Sequence, residues 1–201
     1  MLINASVYTN AIPVAIDNDI NIPGPKATKS GTTTSLTNNK LVDTSGAFEQ
    51  VIGANGVVSN RGVQVGQIVY NMTAATTSAW EGPEAAVVNA VDSDTVLTLS
   101  KNIFPVTGAP STTQQYKIYD ANQAQPKGAI LYVGDKQGQN AEIKSDIFVK
   151  TIDGDDVFIQ GVSAGETLDV VVQRVMVGTA ANAGAGIPNT LTTAKEITAF
   201  I

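Results

Sequence analysis

The strongest constraint on this chain is a break near its beginning. In Ile22-Pro23-Gly24-Pro25, two prolines and a glycine favour turn geometry and stop any regular element. A β-prone run that reads as its resumption, Gly128-Ala129-Ile130-Leu131-Tyr132-Val133-Gly134, arrives only after a long intervening stretch. That stretch, residues 26–126, has strand signals of its own. The pattern predicts one β domain, residues 1–25 and 127–201, split open by an inserted small β-barrel.

Local patterns give the strands. Residues 5–8 and 12–16 are short β-prone runs, an N-terminal strand or strap. Residues 26–37 are rich in Thr, Ser and Gly, the composition of a linker or solvated loop. Alternation of apolar and polar side chains marks strands at 40–43, 63–70, 96–99 and 116–119, with a further one at 85–90 joined to 96–99 through the polar turn Asp92-Ser93-Asp94-Thr95. Asn55-Gly56 is a tight-turn dipeptide, so 53–62 reads as a hairpin tip or mobile loop. In the last third, strands are expected near 129–133, 147–152, 157–162, 168–177 and 197–201, with Asp153-Gly154 as a type I′ hairpin turn. Helical signal is weak, at most a turn or two near 45–51 and 193–196.

Strict alternation along 168–177 puts Leu168, Val170, Val172 and Met176 on one face and Val171, Val175 and Val177 on the other. A strand apolar on both faces is central or lies at a subunit contact. Val170, Val172, Val175 and Val177 are therefore candidates for an oligomer core. The small-residue segment containing Ala180 and reaching Ile187 is a candidate for contacting a neighbour, and Trp80, the only tryptophan, for an interface anchor.

Composition removes whole classes of chemistry. There is no Cys and no His, so disulfides, thiolate metal sites and the usual general base are missing from the chain. The net charge of −6 repels phosphate backbones and argues against a nucleic-acid partner. The first residues lack the basic and apolar regions of a secretory signal, and no apolar window is long enough to span a bilayer, so no membrane association is expected. The carboxylate groups Asp17/Asp19, Asp92/Asp94 and Asp153/Asp155/Asp156 offer hard oxygens for Ca²⁺, yet none fits a calcium-loop pattern and all sit in turns that Asp favours. Glu81, Glu84, Glu142 and Glu166 supply carboxylates for glycosidase-type chemistry without a spacing that pairs them, and Ser163 with Lys195 is no recognisable nucleophile and base. The expectation is a protein that is not an enzyme, with no cofactor and no metal.

Several segments carry a resemblance to a known family. Residues 20–25, Gly128 to Gly134, the 148–157 stretch around Asp153-Gly154, Gly161-Val162-Ser163-Ala164-Gly165 and 170–179 resemble the head-spike-base family of tailed phages and phage-derived gene transfer agents. In that family an "LP-GP" stretch runs almost directly into "ALYVG", followed by a strand pair, an "NVPAG"-like turn, a long strand and a short final one. Here Ser163-Ala164 stands where the family favours proline, and 182–192 lengthens the approach to the last strand. The inserted unit is similar to a module of marine and cyanobacterial phage virion proteins. The resemblance implies an all-β split sandwich, jelly-roll-like, in a virion structural protein assembled in the host cytoplasm. It further implies a homo-oligomer, trimer or pentamer, docking on a major capsid protein or a spike or fibre protein as capsid decoration or head-spike base. A tail or neck fibre or adaptor subunit, or a carbohydrate- or receptor-binding adhesion module, fits the same β-rich composition.

Overall fold

Fifteen strands and no helix make up the regular structure of the described residues. The computed structural model describes residues 11–23, 27–73, 84–104, 113–120, 128–134, 144–179, 191–194 and 196–201. The chain divides into two compact units, the first of 1–25 and 125–201 and the second of 26–124. The all-β, antiparallel, sandwich-like class is the one the sequence predicts; the expected helical turns near 45–51 are absent.

The first unit contains β1 (Ala11–Pro13), β11 (Ala129–Val133), β12 (Ser145–Thr151), β13 (Asp156–Val162), β14 (Thr167–Met176) and β15 (Ile197–Phe200) in one six-stranded sheet, ordered β1-β15-β11-β14-β12-β13. Alternation selects its inner face: Ala129, Leu131 and Val133 on β11, Ile147 and Val149 on β12, and Ile197 and Ala199 on β15 are buried, with Val14, Ile22 and Ala194 adding to the same core. Residues 16–22 form a strap along the second half of β14. There the N–H of Asp17 donates to Val175 O (2.9 Å) and that of Ile22 to Gln173 O (2.8 Å).

The strap meets β14 where its alternation breaks. Lys150 stands opposite Arg174 but Thr151 opposite Val172, so Gln173 is an extra residue, a β-bulge. The extra residue reverses the faces downstream of it. Val172 and Val175, which strict alternation separates, both point into the core and are fully buried, while Val171 and Val177 are exposed. Val170 is partly buried against the same core. The hairpin β12–β13 also differs in detail from expectation. Only Gly154 has positive φ (93°), whereas a type I′ turn needs two such residues. The N–H of Gly154 donates to Thr151 O (3.1 Å) and that of Thr151 to Asp155 O (2.9 Å), a type I turn closed by a glycine bulge.

The second unit holds β2 (Ala27–Thr32), β3 (Ser35–Thr37), β4 (Lys40–Val42), β7 (Ile68–Asn71), β8 (Glu84–Ser93), β9 (Val96–Leu99) and β10 (Gln115–Tyr119), ordered β2-β10-β7-β8-β9-β4-β3. The Thr- and Ser-rich stretch read as a linker is thus two strands, because backbone pairing with β10 and β4 suits β-branched threonine whatever its polarity. The ring expected of a barrel is not closed by strand pairing, since β2 and β3 are the two edges of this order. The covalent chain joins them: Thr33 N–H donates to Gln114 O (2.9 Å) on the β10 side, and Thr34 N–H to Val42 O (2.8 Å) on the β4 side. The strand expected at 63–70 begins only at Ile68, because Gly66 (φ 92°) turns the chain and leaves Val65 outside. Leu41, Phe48, Val69, Val88, Leu97, Phe104, Tyr116 and Ile118 lead the core.

A separate hairpin, β5 (Val51–Ile52) with β6 (Val58–Asn60), pairs with no other strand. A lone hairpin is marginal in water, so its base must be held. Asn60 Nδ2 donates to Ala47 O (3.1 Å), Val63 N–H donates to Phe48 O (2.7 Å), and Gly62 (φ 64°) passes so close to the chain at 48–50 that a Cβ would lie 2.6 Å from its backbone.

Candidate interaction surfaces

The polar residues flagged by the sequence are largely consumed by local structure. Asp17 Oδ1 accepts the N–H groups of Asp19 (2.8 Å) and Ile20 (3.1 Å), an Asx turn that shapes the strap. Asp92 accepts from Lys40 Nζ and Thr98 Oγ1, both at 2.7 Å, and these bonds hold its carboxyl below the usual carboxylate range. Asp94 Oδ1 receives Glu49 N–H (3.2 Å), and Asp156 pairs with Lys150 Nζ (2.6 Å). Glu166 Oε2 accepts Ser163 N–H (2.9 Å) inside its own turn. Burial raises the pKa of Glu84, opposed by the charge of Lys101. Among the described residues no group of three or more carboxylates gathers around a point that a metal could occupy. Glu81, Glu142 and Lys195 lie outside the described residues.

One buried polar constellation organises the second unit. The Tyr116 hydroxyl, on β10, donates to Asp43 Oδ2 (2.7 Å), and both residues are buried. Asp43 Oδ1 accepts Ser45 N–H (2.8 Å), starting the turn after β4. Lys29 Nζ, from β2, donates to Gly46 O and to Ala47 O (2.7 Å) and lies 5.6 Å from the centre of the Phe48 ring. Gly31 is required here, because a Cβ would sit 2.5 Å from the Tyr116 hydroxyl and 2.7 Å from Asp43 Oδ2. Burial first, and then the bond to Asp43, push the Tyr116 phenol far above the tyrosine range. These groups brace β2, β10 and the turn after β4 against one another. At the strand ends, Asn71 Nδ2 donates to Ile103 O (2.7 Å) and Gln114 Oε1 (2.6 Å), while its own oxygen accepts Thr73 N–H (2.9 Å). Those partners fix both amides, and Gln114 Nε2 is buried without a partner among the described residues.

The candidate contact residues fare unequally. Val172 and Val175 belong to the core of their own unit and are unavailable to a partner, which corrects the reading of 170–177 as a two-faced oligomer strand. Val170 packs on that core, and Val177 alone of the four is exposed, at 41%. Trp80, Ala180 and Ile187 lie outside the described residues. Tyr70, Tyr116 and Tyr119 are buried, Tyr70 packing edge-on against Tyr119 at 5.3 Å, so none offers a face for sugar stacking.

The exposed apolar surface is elsewhere. Val51, Ile52, Val57, Val58 and Val65 are between 41% and 66% exposed, all in or beside the hairpin β5–β6. Ile152 and Val171 form a smaller exposed pair in the first unit. Sequence reasoning located the Asn55-Gly56 tip but missed what flanks it. The signal was present as Val51-Ile52 and Val57-Val58, two adjacent pairs that place an aliphatic side chain on each face of a two-stranded ribbon. In comparisons with known proteins, no family model, no curated protein and no solved structure matches this chain.

Proposed function

We propose that the chain is a non-enzymatic structural subunit of a tailed-phage virion, a capsid-decoration or head-spike-base protein that self-associates and docks on the capsid. The observation that carries this reading is the distribution of its surface. Asp17, Asp92, Asp94 and Asp156 are spent on turns and cross-strand pairs, Tyr70, Tyr116 and Tyr119 are buried, and aliphatic side chains of the hairpin β5–β6 stay open to a partner. The segments that resemble the head-spike-base family support it. They fall on the strap, β11, the β12–β13 hairpin, the turn at Ser163 to Gly165 and β14, and those elements are bonded to one another in a single sheet. The inserted unit interrupts that sheet at one point of the chain and adds a second core.

A cryo-EM map of the intact particle tests the proposal. Density for this chain on the capsid surface or at its vertices is the expected result. Density confined to the tail or neck overturns the capsid reading in favour of a fibre or adaptor subunit, and its absence from the particle overturns the virion reading altogether.

A further inference from the structure

We infer that the hairpin β5–β6 is an arm that docks on a second copy of this chain, against the exposed pair Ile152 and Val171. The inference rests on self-association alone among the elements of the proposed function. Four features of the molecule carry it.

The arm is apolar on both faces and, among the described residues, unpaired at both edges, an arrangement that soluble monomers avoid because it invites pairing. Its charge is also distinctive. From Gln50 to Gly66 the one charged residue is Arg61, which is exposed and forms no ion pair within the described residues, on a chain of net charge −6. Two copies of so acidic a protein repel each other unless contact joins a neutral or cationic surface to an acidic one.

The first unit has the complementary surface. Ile152 (43% exposed) and Val171 (38%) are adjacent, Ile152 N–H reaching Val171 O at 3.4 Å. Both close over Gly128, whose missing Cβ would lie 2.4 Å from one and 2.5 Å from the other. Around them are Asp153, Asp155 and Asp169, exposed and without ion-pair partners among the described residues, while the nearby Asp156 is neutralised by Lys150. Asp169 lies two positions from Val171 on one face of β14, so the carboxylate and the aliphatic side chain are presented together. An aliphatic arm with a lone cation fits an aliphatic pair with an acidic rim.

Size argues for repetition. The arm offers a few hundred Å², well under the roughly 800 Å² per partner of a free-standing complex. One contact is therefore weak. Because arm and acceptor are different surfaces of the same chain, the contact is heterologous, and each copy in an assembly uses both, doubling what it buries.

Sedimentation velocity on the full chain, at concentrations rising to about millimolar, tests this with two variants whose substitutions are all at exposed sites. The arm variant carries Ile52→Ser, Val57→Ser and Arg61→Ser; the acceptor variant carries Asp153→Asn, Asp155→Asn, Asp169→Asn and Val171→Thr. The natural chain is expected to self-associate, and each variant to do so at least about tenfold more weakly. Mixed one to one, the variants are expected to form a heterodimer, because one intact arm then meets one intact acceptor. A natural chain that stays monomeric throughout, a variant that assembles undiminished, or a mixture that yields no heterodimer overturns the inference. Failure of the particle-location experiment leaves these results standing, so the two readings fall separately.

Discussion

Tyr116 links the chemistry of single side chains to the stability of the second unit. Its hydroxyl supplies the buried Asp43 carboxylate with a donor, and Tyr116→Phe leaves that carboxylate one bond short, at a cost of about 1–3 kcal/mol at neutral pH. Alkaline behaviour follows from the direction of the shift. The folded phenol titrates above its ordinary value of 10.0, so its contribution is intact below that value and is lost as pH rises beyond it, when only the unfolded chain ionises readily. Tyr119, raised by burial, adds to the same trend. Denaturant melts between pH 7 and 11 should show the natural protein weakening above pH 10, and the Phe variant, weaker at pH 7, losing less over that last interval. Nothing in the sequence near Lys29, Asp43 or Tyr116 signals that they converge. Asp43 and Tyr116 are 73 positions apart, and their meeting depends on which strands become neighbours. The turn-forming roles of Asp17 and Asp153-Gly154 were legible, since both are settled within a few residues of chain.

Among elements, β14 shows where periodicity stops being a guide. Its extent and its central place were legible from the density of Val and Leu, but the faces of Val175 and Met176 were not, because a bulge at Gln173 is set by the strap and β12 pairing on either side of it. Deleting Gln173 would remove the extra residue and leave Val172 and Val175 inward in strict alternation with Arg174 between them, but it would take away the carbonyl that accepts Ile22 N–H and seats the strap. Loss of that bond and of the strap's seat is expected to destabilise the first unit by about 1–3 kcal/mol with its core faces unchanged, read by near-ultraviolet circular dichroism and calorimetry. The arm behaves oppositely. Ile52→Ser with Val57→Ser removes side chains that contribute little to either core, so thermal stability is expected to change by about 0.5 kcal/mol or less. β2 and β3 were missed for a related reason: their Thr, Ser and Lys side chains carry no apolar alternation, and what makes them strands is the backbone of β10 and β4.

For the whole molecule, the two cores predict two transitions. Calorimetry on the full chain should resolve them, and residues 26–124 expressed alone should retain one cooperative melt with the same alkaline sensitivity. A single merged transition, or an insoluble fragment, would count against independent units. The division of the chain was legible because the Pro/Gly break is a local signal; the strand order within each unit was not, since it is decided by long-range pairing. That long-range pairing also sets an order of events during synthesis. Ala11 of β1 stands opposite Phe200 of β15, so the six-stranded sheet cannot be completed until residue 200 has left the ribosome. The inserted unit is finished far earlier, and in it Ala27 stands opposite Tyr119. Once folded, it holds its own entry and exit side by side, so the effective loop separating β1 from β11 loses most of its length. Loop-closure entropy depends on the length still free to wander. The insertion that interrupts the first unit in sequence therefore shortens the search by which that unit folds.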